Sequence, residues 1–392
     1  MFRRRLAKLG PTLVILILAV GFYRYEQPIP AVQAVSTALK PTRVSSPDLR
    51  WPKGGQSALG AVGYGLLASR NTDSPQPIAS ISKVITALAV LQKKPLSPGN
   101  GGPLIKLDST DVGYYKYYSK HGGSVAKVAN GEQITEYQAL EALLLPSANN
   151  MGDSLARWAF GSIPNYLSYA RGMVSQMGLT NTTVGNTNGF DDKTTSNADD
   201  VVKIGLRAMQ NPVLADIVAL PATDIPVAGN IGNVNWLLGS DGVVGIKTGN
   251  TTKAGGCYLF ASNQLVSGHK IILVGAVLGQ PDLEEAINAA PPLINSAQKD
   301  FEQVTVAHVG QSLGYYKTPW GSTATFAPSK DLSLLAWKGA QLNTVNLASD
   351  IRSAKAGTHV GQVIVAGRPA SAPLVLSNDL TGPSFWWRII RH

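Results

Sequence analysis

Cysteine and histidine are scarce in this chain of 392 residues, which has one cysteine, Cys257, and five histidines. One cysteine excludes an internal disulfide and a cysteine-ligated metal site. The histidines show no HExxH motif and no paired spacing; they lie at positions 121, 269, 308, 359 and 392. The sequence therefore predicts neither a protein-held metal ion nor any other cofactor.

Charge is also sparse, because only 15% of the residues are Asp, Glu, Lys or Arg. The net charge is +10, and four of these positive charges are Arg3, Arg4, Arg5 and Lys8. No basic stripe is interleaved with aromatic residues, so we expect no nucleic-acid partner. A 44% apolar content favours a globular protein, and the length favours two domains.

The N-terminus is typical of a segment that enters the export pathway. Basic residues precede an uncharged run from Leu9 to Tyr23, which is longer than most signal-peptide cores and shorter than most spanning helices. Val32-Gln33-Ala34 offers a cleavage site, but it lies far beyond the apolar run. We therefore expect residues 1–25 to be an uncleaved anchor in the cytoplasmic membrane, or else an export signal. Either way, we expect the rest of the chain on the extracytoplasmic side of the membrane.

Composition divides the rest of the chain into four parts. Prolines mark residues 26–55 as a linker, 56–302 form a larger α/β domain, 303–380 form a small β domain, and 381–392 are an aromatic and basic tail. In the larger domain, the pattern predicts a helix over 81–93 and a capping box, Thr135 with Gln138, that starts another helix. A single helix is expected over 282–301. A run of tyrosines within 114–118 has two interpretations, a wall of a substrate cleft and a surface hairpin, of which we expect the hairpin.

Three short motifs carry the chemistry. In Ser80-Ile81-Ser82-Lys83, a helix brings the serine and the lysine onto one face, and apolar neighbours lower the pKa of the amine so that it can accept a proton. Ser147-Ala148-Asn149 lies between two helices and offers a second hydroxyl and an amide. Lys247-Thr248-Gly249 ends a strand and offers a cation, a hydroxyl and a glycine for an anionic ligand. Each motif is common by itself.

In this order and in these contexts, the three motifs resemble the signature of the penicillin-recognising serine enzymes. Within that group, the chain resembles the low-molecular-weight D-alanyl-D-alanine carboxypeptidases. The resemblance covers about 56–301, and more loosely the β-rich segment after it. It implies a transpeptidase-like α+β catalytic domain with an antiparallel sheet and a helical cluster, a peptidoglycan stem peptide as substrate, and β-lactams as covalent inhibitors.

The resemblance also implies a role for each catalytic side chain. Ser80 would attack the penultimate peptide carbonyl and form an acyl-enzyme. Lys83 would accept the serine proton, and Ser147 would pass a proton to the departing D-alanine.

Four further residues would bind substrate. Asn149 would hold the substrate amide, while Lys247 and Thr248 would hold the terminal carboxylate. The backbone N–H groups of Ser80 and Asn250 would form the oxyanion hole. Asn250 stands where many family members have histidine, which is tolerable if only the backbone N–H is needed.

Other departures from the family pattern bear on specificity. Asn150 replaces the acidic residue that often follows the second motif. The stretch 281–285 lacks the arginine that some members use for the substrate carboxylate. Strict carboxypeptidase specificity is therefore less secure than the serine chemistry.

Several alternatives remain open. A β-lactamase with a glutamate base is disfavoured, because no glutamate occurs between Glu141 and Glu284, although aspartates do. A transpeptidase or an endopeptidase would use the same residues, and a cell-wall binding protein would be a non-enzymatic member. A Gly-x-Ser-x-Gly pattern around Ser312, with Asp331, Asp350 and His359 after it, lacks the helix that a nucleophile elbow requires.

Overall fold

The computed structural model describes the backbone of residues 2–391 and the side chains of residues 12–391. Arg3, Arg4, Arg5 and Lys8 of the expected anchor therefore lie outside the described side chains. The chain forms two compact units. One is continuous, Asp48–Asp300, and the other combines the N-terminal residues up to Pro47 with the C-terminal residues from Phe301.

The helices are α1 (Phe2–Glu26), α2 (Ser82–Lys93), α3 (Ser109–Lys120), α4 (Glu136–Leu144), α5 (Asn149–Phe160), α6 (Ile163–Gln176), α7 (Ala198–Met209), α8 (Pro212–Val218), α9 (Leu283–Asn288), α10 (Ala290–Gln298) and α11 (Phe385–Ile390). The strands are β1 (Val35–Ser36), β2 (Thr42–Arg43), β3 (Gln56–Ala61), β4 (Gly65–Arg70), β5 (Gln76–Pro77), β6 (Leu104–Lys106), β7 (Gln133–Thr135), β8 (Thr195–Ser196), β9 (Ala222–Ile225), β10 (Gly229–Gly232), β11 (Val243–Thr251), β12 (Gly255–Val266), β13 (His269–Gln280), β14 (Phe301–Ala307), β15 (Gly314–Lys317), β16 (Thr323–Pro328), β17 (Leu332–Trp337), β18 (Gln341–Leu342), β19 (Thr344–Ala348), β20 (His359–Val365) and β21 (Ser371–Leu376).

The unit 48–300 is built on an antiparallel sheet in the order β11-β12-β13-β3-β4, so β11 and β4 are its edge strands. Helix α7 packs closely on this sheet at Gly205, where a Cβ would lie 2.7 Å from Val274 Cγ1 and 2.8 Å from Leu259 Cδ1. Helix α2 is buried on every face from Ser82 to Leu91, which makes it the centre of the helical cluster. The fold is the mixed α/β class expected from the sequence.

Local sequence signals explain how the main helices begin. The capping box is confirmed, since Gln138 N donates to Thr135 Oγ1 at 3.1 Å and Thr135 N donates to Gln138 Oε1 at 3.0 Å.

The single helix expected over 282–301 is wrong. A break at Ala289 divides it into α9 and α10, because the prolines after Ala290 have no N–H to donate and fit only the first turn of a new helix.

The tyrosine run forms helix α3 rather than the surface hairpin expected from the sequence. Asp108 caps the helix: its carboxylate accepts from Thr110 N at 2.8 Å, and Asp108 N donates to the Asp111 carboxylate at 2.8 Å. Asp108 and Asp111, three residues apart, thus form a capping box. The sequence interpretation rested on the tyrosines and missed this helix start.

The unit formed by the chain ends contains an antiparallel sheet in the order β1-β15-β16-β21-β20-β19. The segment predicted to be a linker is part of this unit, because Val35 pairs with Tyr315 and Thr42 with Leu342. Val44 is buried there. In the segment predicted to be a linker, apolar residues at alternating positions fit strands at the edge of a sheet. The prolines led to the linker prediction, although proline is also compatible with an edge strand.

Helices α1 and α11 pack together within the same unit. Arg391 donates hydrogen bonds to the carbonyls of Arg24 and Gln27, both at 2.9 Å, and the Arg388 guanidinium lies over the Tyr25 ring at 4.9 Å. Across the residues described, none of the helices has both the length and the apolar character that crossing a membrane requires.

Candidate active site

Ser80 lies in the short 3-10 turn Ala79–Ile81 that leads directly into α2. Ala79 has a φ of 48°, a left-handed value that is unfavourable for alanine. Such strain is commonly stored at functional sites. The turn leaves Ser80 partly exposed, while Lys83, on the first turn of α2, is fully buried.

The Lys83 amine has three hydrogen-bonding neighbours: Ser80 Oγ at 2.8 Å, Asn149 Oδ1 at 2.7 Å and the Asn188 carbonyl oxygen at 2.7 Å. The last two can only accept, whereas a serine hydroxyl can also donate. A neutral amine has two N–H donors and one lone pair. With both N–H groups held by Asn149 and Asn188, the lone pair points at the Ser80 hydroxyl.

The electrostatic environment favours this neutral form. Burial lowers the pKa of Lys83 well below its ordinary value, and the nearby positive charge of Lys247 lowers it further. Asp153 opposes this effect and raises the pKa of Lys83. The lowered pKa favours a neutral amine with a free lone pair, the form in which a general base accepts a proton.

The second motif lies between α4 and α5. Ser147 has a φ of 65°, and its buried hydroxyl has no hydrogen-bond partner among the described residues. An unpaired buried hydroxyl costs free energy unless a ligand supplies the partner. Asn149 opens α5, so its amide oxygen reaches Lys83 from the helix start.

Asn150, the departure from the family pattern, is fully buried and pairs with both backbone groups of Ala126. Its Oδ1 accepts from Ala126 N at 3.1 Å, and its Nδ2 donates to Ala126 O at 2.9 Å. An ionised aspartate could only accept. The amide therefore fixes the segment after α3, which lies next to the site.

The third motif lies on β11, the edge strand. A Cβ at Gly249 would lie only 2.9 Å from Ser80 N, so glycine permits the strand to pass directly beside the serine. Lys247 is buried, with its amine donating to Thr248 O at 3.1 Å, and burial lowers its pKa to about 7. Asn250 is exposed at the end of the strand.

The structure thus joins Ser80, Lys83 and Asn149 by direct hydrogen bonds and brings the backbone of β11 against Ser80. Within the described part of the chain, Ser147 and the Lys247 amine make no hydrogen bond to Ser80. Asn188 is a site residue that the sequence interpretation missed. It lies in a loop without a recognised motif, and only its hydrogen bond to Lys83 identifies it.

Local structure does not support Ser312 as an alternative nucleophile. Ser312 is followed by strand β15 instead of the helix that an elbow requires.

Comparison with known proteins agrees with the geometry. Residues 63–281 match the family profile described as Peptidase_S11, D-alanyl-D-alanine carboxypeptidase. The chain is 26% identical over 246 residues to a D-alanyl-D-alanine carboxypeptidase of Streptomyces sp. (strain K15), covering 58% of this chain and 81% of that protein. It is 23% identical to the D-alanyl-D-alanine carboxypeptidase DacA of Escherichia coli (strain K12), covering 83% of each.

Solved structures share the fold. Penicillin binding protein 5 from Haemophilus influenzae superposes with a TM-score of 0.60 at 20% identity, covering 87% of this chain and 99% of that chain. The Streptomyces K15 DD-transpeptidase gives a TM-score of 0.56 at 22% identity, covering 64% and 98%. Because the family profile spans more than half of the sequence, the chain belongs to the D-alanyl-D-alanine carboxypeptidase family and is a serine-type enzyme of that family.

Proposed function

We propose that the carboxypeptidase reaction proceeds through acylation of Ser80, with Lys83 as the general base. The observation that carries this assignment is the arrangement at the Lys83 amine. Two acceptor-only partners hold its N–H groups and the Ser80 hydroxyl lies 2.8 Å away. A nucleophile and base at this distance need no rearrangement before proton transfer.

In the first step, Ser80 Oγ bonds to the penultimate D-alanine carbonyl carbon, while its proton passes to Lys83. The tetrahedral intermediate then collapses and the C–N bond breaks. Ser147 donates its proton to the leaving amine and takes up the proton held by Lys83, so both side chains end neutral. The buried, unpartnered hydroxyl of Ser147 supports this role. Water then attacks the acyl carbon while Lys83 accepts its proton, the ester bond to Ser80 Oγ breaks, and Lys83 returns the proton to Oγ. The shortened peptide is released and the serine is restored.

Substrate binding would use β11. An edge strand leaves one row of backbone groups open to an extended peptide, which can add as a further strand. The N–H groups of Ser80 and Asn250 would stabilise the oxyanion, and the close passage of Gly249 beside Ser80 supports this pairing. The terminal carboxylate would bind to Lys247 and Thr248.

The ligand would be a peptidoglycan stem peptide that ends in D-Ala-D-Ala. A β-lactam would acylate Ser80 by the same attack on its strained amide, and the leaving nitrogen would stay tethered. An endopeptidase of Escherichia coli is also similar to this chain, at 26% identity over 251 residues. Cross-link cleavage is therefore the second candidate activity.

Two measurements test the assignment. Mass mapping of a penicillin adduct should locate it on the peptide that contains Ser80. Ser80→Ala should form no adduct, whereas the matched control Ser312→Ala should be labelled normally. Incubation with a muropeptide that ends in D-Ala-D-Ala should release free D-alanine. An adduct on Ser147 or Ser312 would overturn the mechanism, and cross-link cleavage without D-alanine release would favour the endopeptidase.

Substitution of Lys83 tests the base directly. A guanidinium does not deprotonate in proteins, so Lys83→Arg should lower the acylation rate by about 10²- to 10⁴-fold, the usual contribution of general base catalysis. Lys83→Met, which is neutral and of similar length, guards against misfolding caused by the larger cation. Near-normal acylation by both variants would remove Lys83 from this role.

We also propose that the unit 48–300 carries catalysis outside the cytoplasmic membrane, attached through α1. The α1 side chains Leu13, Ile15, Leu18 and Phe22 are all more than half exposed and form an unpartnered apolar surface. The contacts between α11 and the C-terminal end of α1 support the proposal that α1 is not cleaved off after export. Trp386, 67% exposed on α11, would add an interfacial contact.

Membrane fractionation tests the attachment. Replacing the apolar run of α1 by serine and glycine after an independent cleavable export signal should release the protein into the soluble fraction. Trp386→Ser should weaken binding but not abolish it. A mature N-terminus at Val35, found by Edman sequencing, would refute retention of α1.

A further inference from the structure

A buried carboxylate lies behind the site and takes no part in the steps above. Asp153 is one helical turn beyond Asn149 on α5 and only 8% exposed. Both of its oxygens accept hydrogen bonds: Tyr118 Oη donates to Oδ2 at 2.8 Å, and Thr187 Oγ1 donates to Oδ1 at 2.5 Å. Burying a carboxylate costs desolvation free energy, so a buried carboxylate is expected to have a specific role.

The two donors lead back to the general base. Asn188 Nδ2 donates to Tyr118 Oη at 2.8 Å and to Asn149 O at 3.2 Å. The Thr187 carbonyl accepts from Thr86 Oγ1 on α2 at 2.6 Å. The two-residue segment Thr187–Asn188 is therefore held from both sides. Its Asn188 carbonyl is one of the two acceptors that orient Lys83.

We propose that Asp153 is a positioning residue for the general base: through Tyr118 and Thr187 it fixes the Asn188 carbonyl that directs the Lys83 lone pair at Ser80. The inference rests on the proposed role of Lys83 as the base. Among the described residues, the hydrogen bonds of Asp153 go to Tyr118 and Thr187 and not to Ser80 or β11, so it acts through the residues that hold Lys83.

Asp153 also acts on Lys83 through its charge. Its negative charge raises the pKa of Lys83, while the positive charge of Lys247 on β11 lowers it. Asp191 in the neighbouring loop raises the pKa of Asp153, in addition to the larger effect of burial. The pKa of Tyr118 is raised by burial, so its hydroxyl stays neutral over the working range. Removal of the Asp153 charge should therefore lower the pKa of Lys83.

The chain offers a matched control for mere loosening of the helices. Asp111 on α3 is also buried and joins the same two helices, accepting from Ser154 Oγ at 2.7 Å and pairing with Arg157 at 2.6 Å. It has no connection to Asn188 or Lys83 among the described hydrogen bonds. A structural effect of weakened α3–α5 packing should appear in Asp111→Asn as well.

The test is the second-order rate of acylation by a fluorescent penicillin across pH, measured on the full chain. Asp153→Asn should acylate about 10- to 100-fold more slowly on the plateau, the order expected for a misplaced base. The acidic limb of its pH–rate profile should move to lower pH, because Lys83 deprotonates more easily. Tyr118→Phe leaves the Asp153 charge in place. Its acylation rate should therefore fall while the acidic limb of its pH–rate profile stays where it is in the wild type. Asp111→Asn should lose thermal stability but keep the wild-type pH profile.

The outcomes separate this inference from the mechanism beneath it. Normal acylation by Lys83→Arg and Lys83→Met would defeat the base assignment. Inactive Lys83 variants together with a wild-type profile for Asp153→Asn would defeat the positioning role alone. The same limb shift in Asp111→Asn would also overturn it, because a structural loosening would then suffice. If Asp153→Asn does not fold, Tyr118→Phe carries the test, and an unchanged rate there refutes the connection.

Discussion

The pKa of Lys247 leads to a prediction about how the enzyme distinguishes an anionic ligand from a neutral one. Burial lowers this pKa from 10.5 to about 7. The side chain is therefore protonated below about pH 7 and neutral above it. If Lys247 binds the ligand carboxylate, the preference for a carboxylate should be complete at acidic pH and should decline as the pH rises through 7.

The size of the decline follows from the contact that is lost. A hydrogen bond to a charged group contributes about 1.5 to 3 kcal/mol. Conversion at about 1.4 kcal/mol per factor of ten gives roughly 10- to 150-fold. The preference should therefore fall by up to about tenfold per pH unit above pH 7. It should level off where a neutral amine still donates a weaker hydrogen bond.

The assay compares a penicillin with its methyl ester, which lacks the carboxylate. The second-order acylation rates of both are measured from about pH 5.5 to about pH 9.5, where they report the pKa values of the free enzyme. Protonation of Lys83 affects both ligands equally, so the ratio of the two rates isolates Lys247.

Lys247→Arg provides the control. A guanidinium stays charged over the whole range, so the ratio for this variant should not depend on pH. Its absolute rate should be only partly reduced, because a fixed cation remains. A wild-type ratio that is constant across the range would refute the reasoning, and so would a Lys247→Arg ratio that follows the wild type.

Three other substitutions test buried features of the unit 48–300. Asn150→Asp should lower the free energy of unfolding by about 1 to 3 kcal/mol in urea denaturation, since an ionised carboxylate cannot donate to Ala126 O; an unchanged midpoint would contradict this. Burial raises the pKa of Glu136 from 4.5 to about 7, so wild-type stability should fall as pH rises through that window. Glu136→Gln should remove the loss, worth on the order of 2 to 3 kcal/mol by pH 8 and nothing near pH 4; a difference between the two proteins that is independent of pH would argue against it. Gly249→Ala should cut acylation by about 10- to 100-fold in a folded protein, because its Cβ would meet Ser80 N at 2.9 Å; wild-type labelling would show that the strand can move aside.

The sequence was sufficient where chemistry depends on short spacing. A helix places residues three apart on one face, so the contact between Ser80 and Lys83 follows from local geometry alone. The same holds for the capping box at Thr135. The family resemblance supplied what spacing could not, namely that two distant motifs meet this helix.

What the sequence could not reveal depends on contacts between distant segments. Asn188 reaches Lys83 through its backbone carbonyl, which every residue has, so no side-chain pattern marks it. Tyr118 was expected in a surface hairpin with the other tyrosines, whereas the structure buries it and bonds its hydroxyl to Asp153 and Asn188. No sequence pattern marks Asp153, since burial of a carboxylate is decided by what packs around it.

The pairing of β1 with β15 has a consequence for how the protein is made. The unit that contains both chain ends cannot assemble until nearly the whole polypeptide has been translated. The continuous unit 48–300 can fold earlier, because its residues emerge together. Until residues 301–391 are available, the strand segments around Val35 and Thr42 therefore remain exposed and unpaired. This interval is when the chain is most open to proteases and to pairing with the wrong edge.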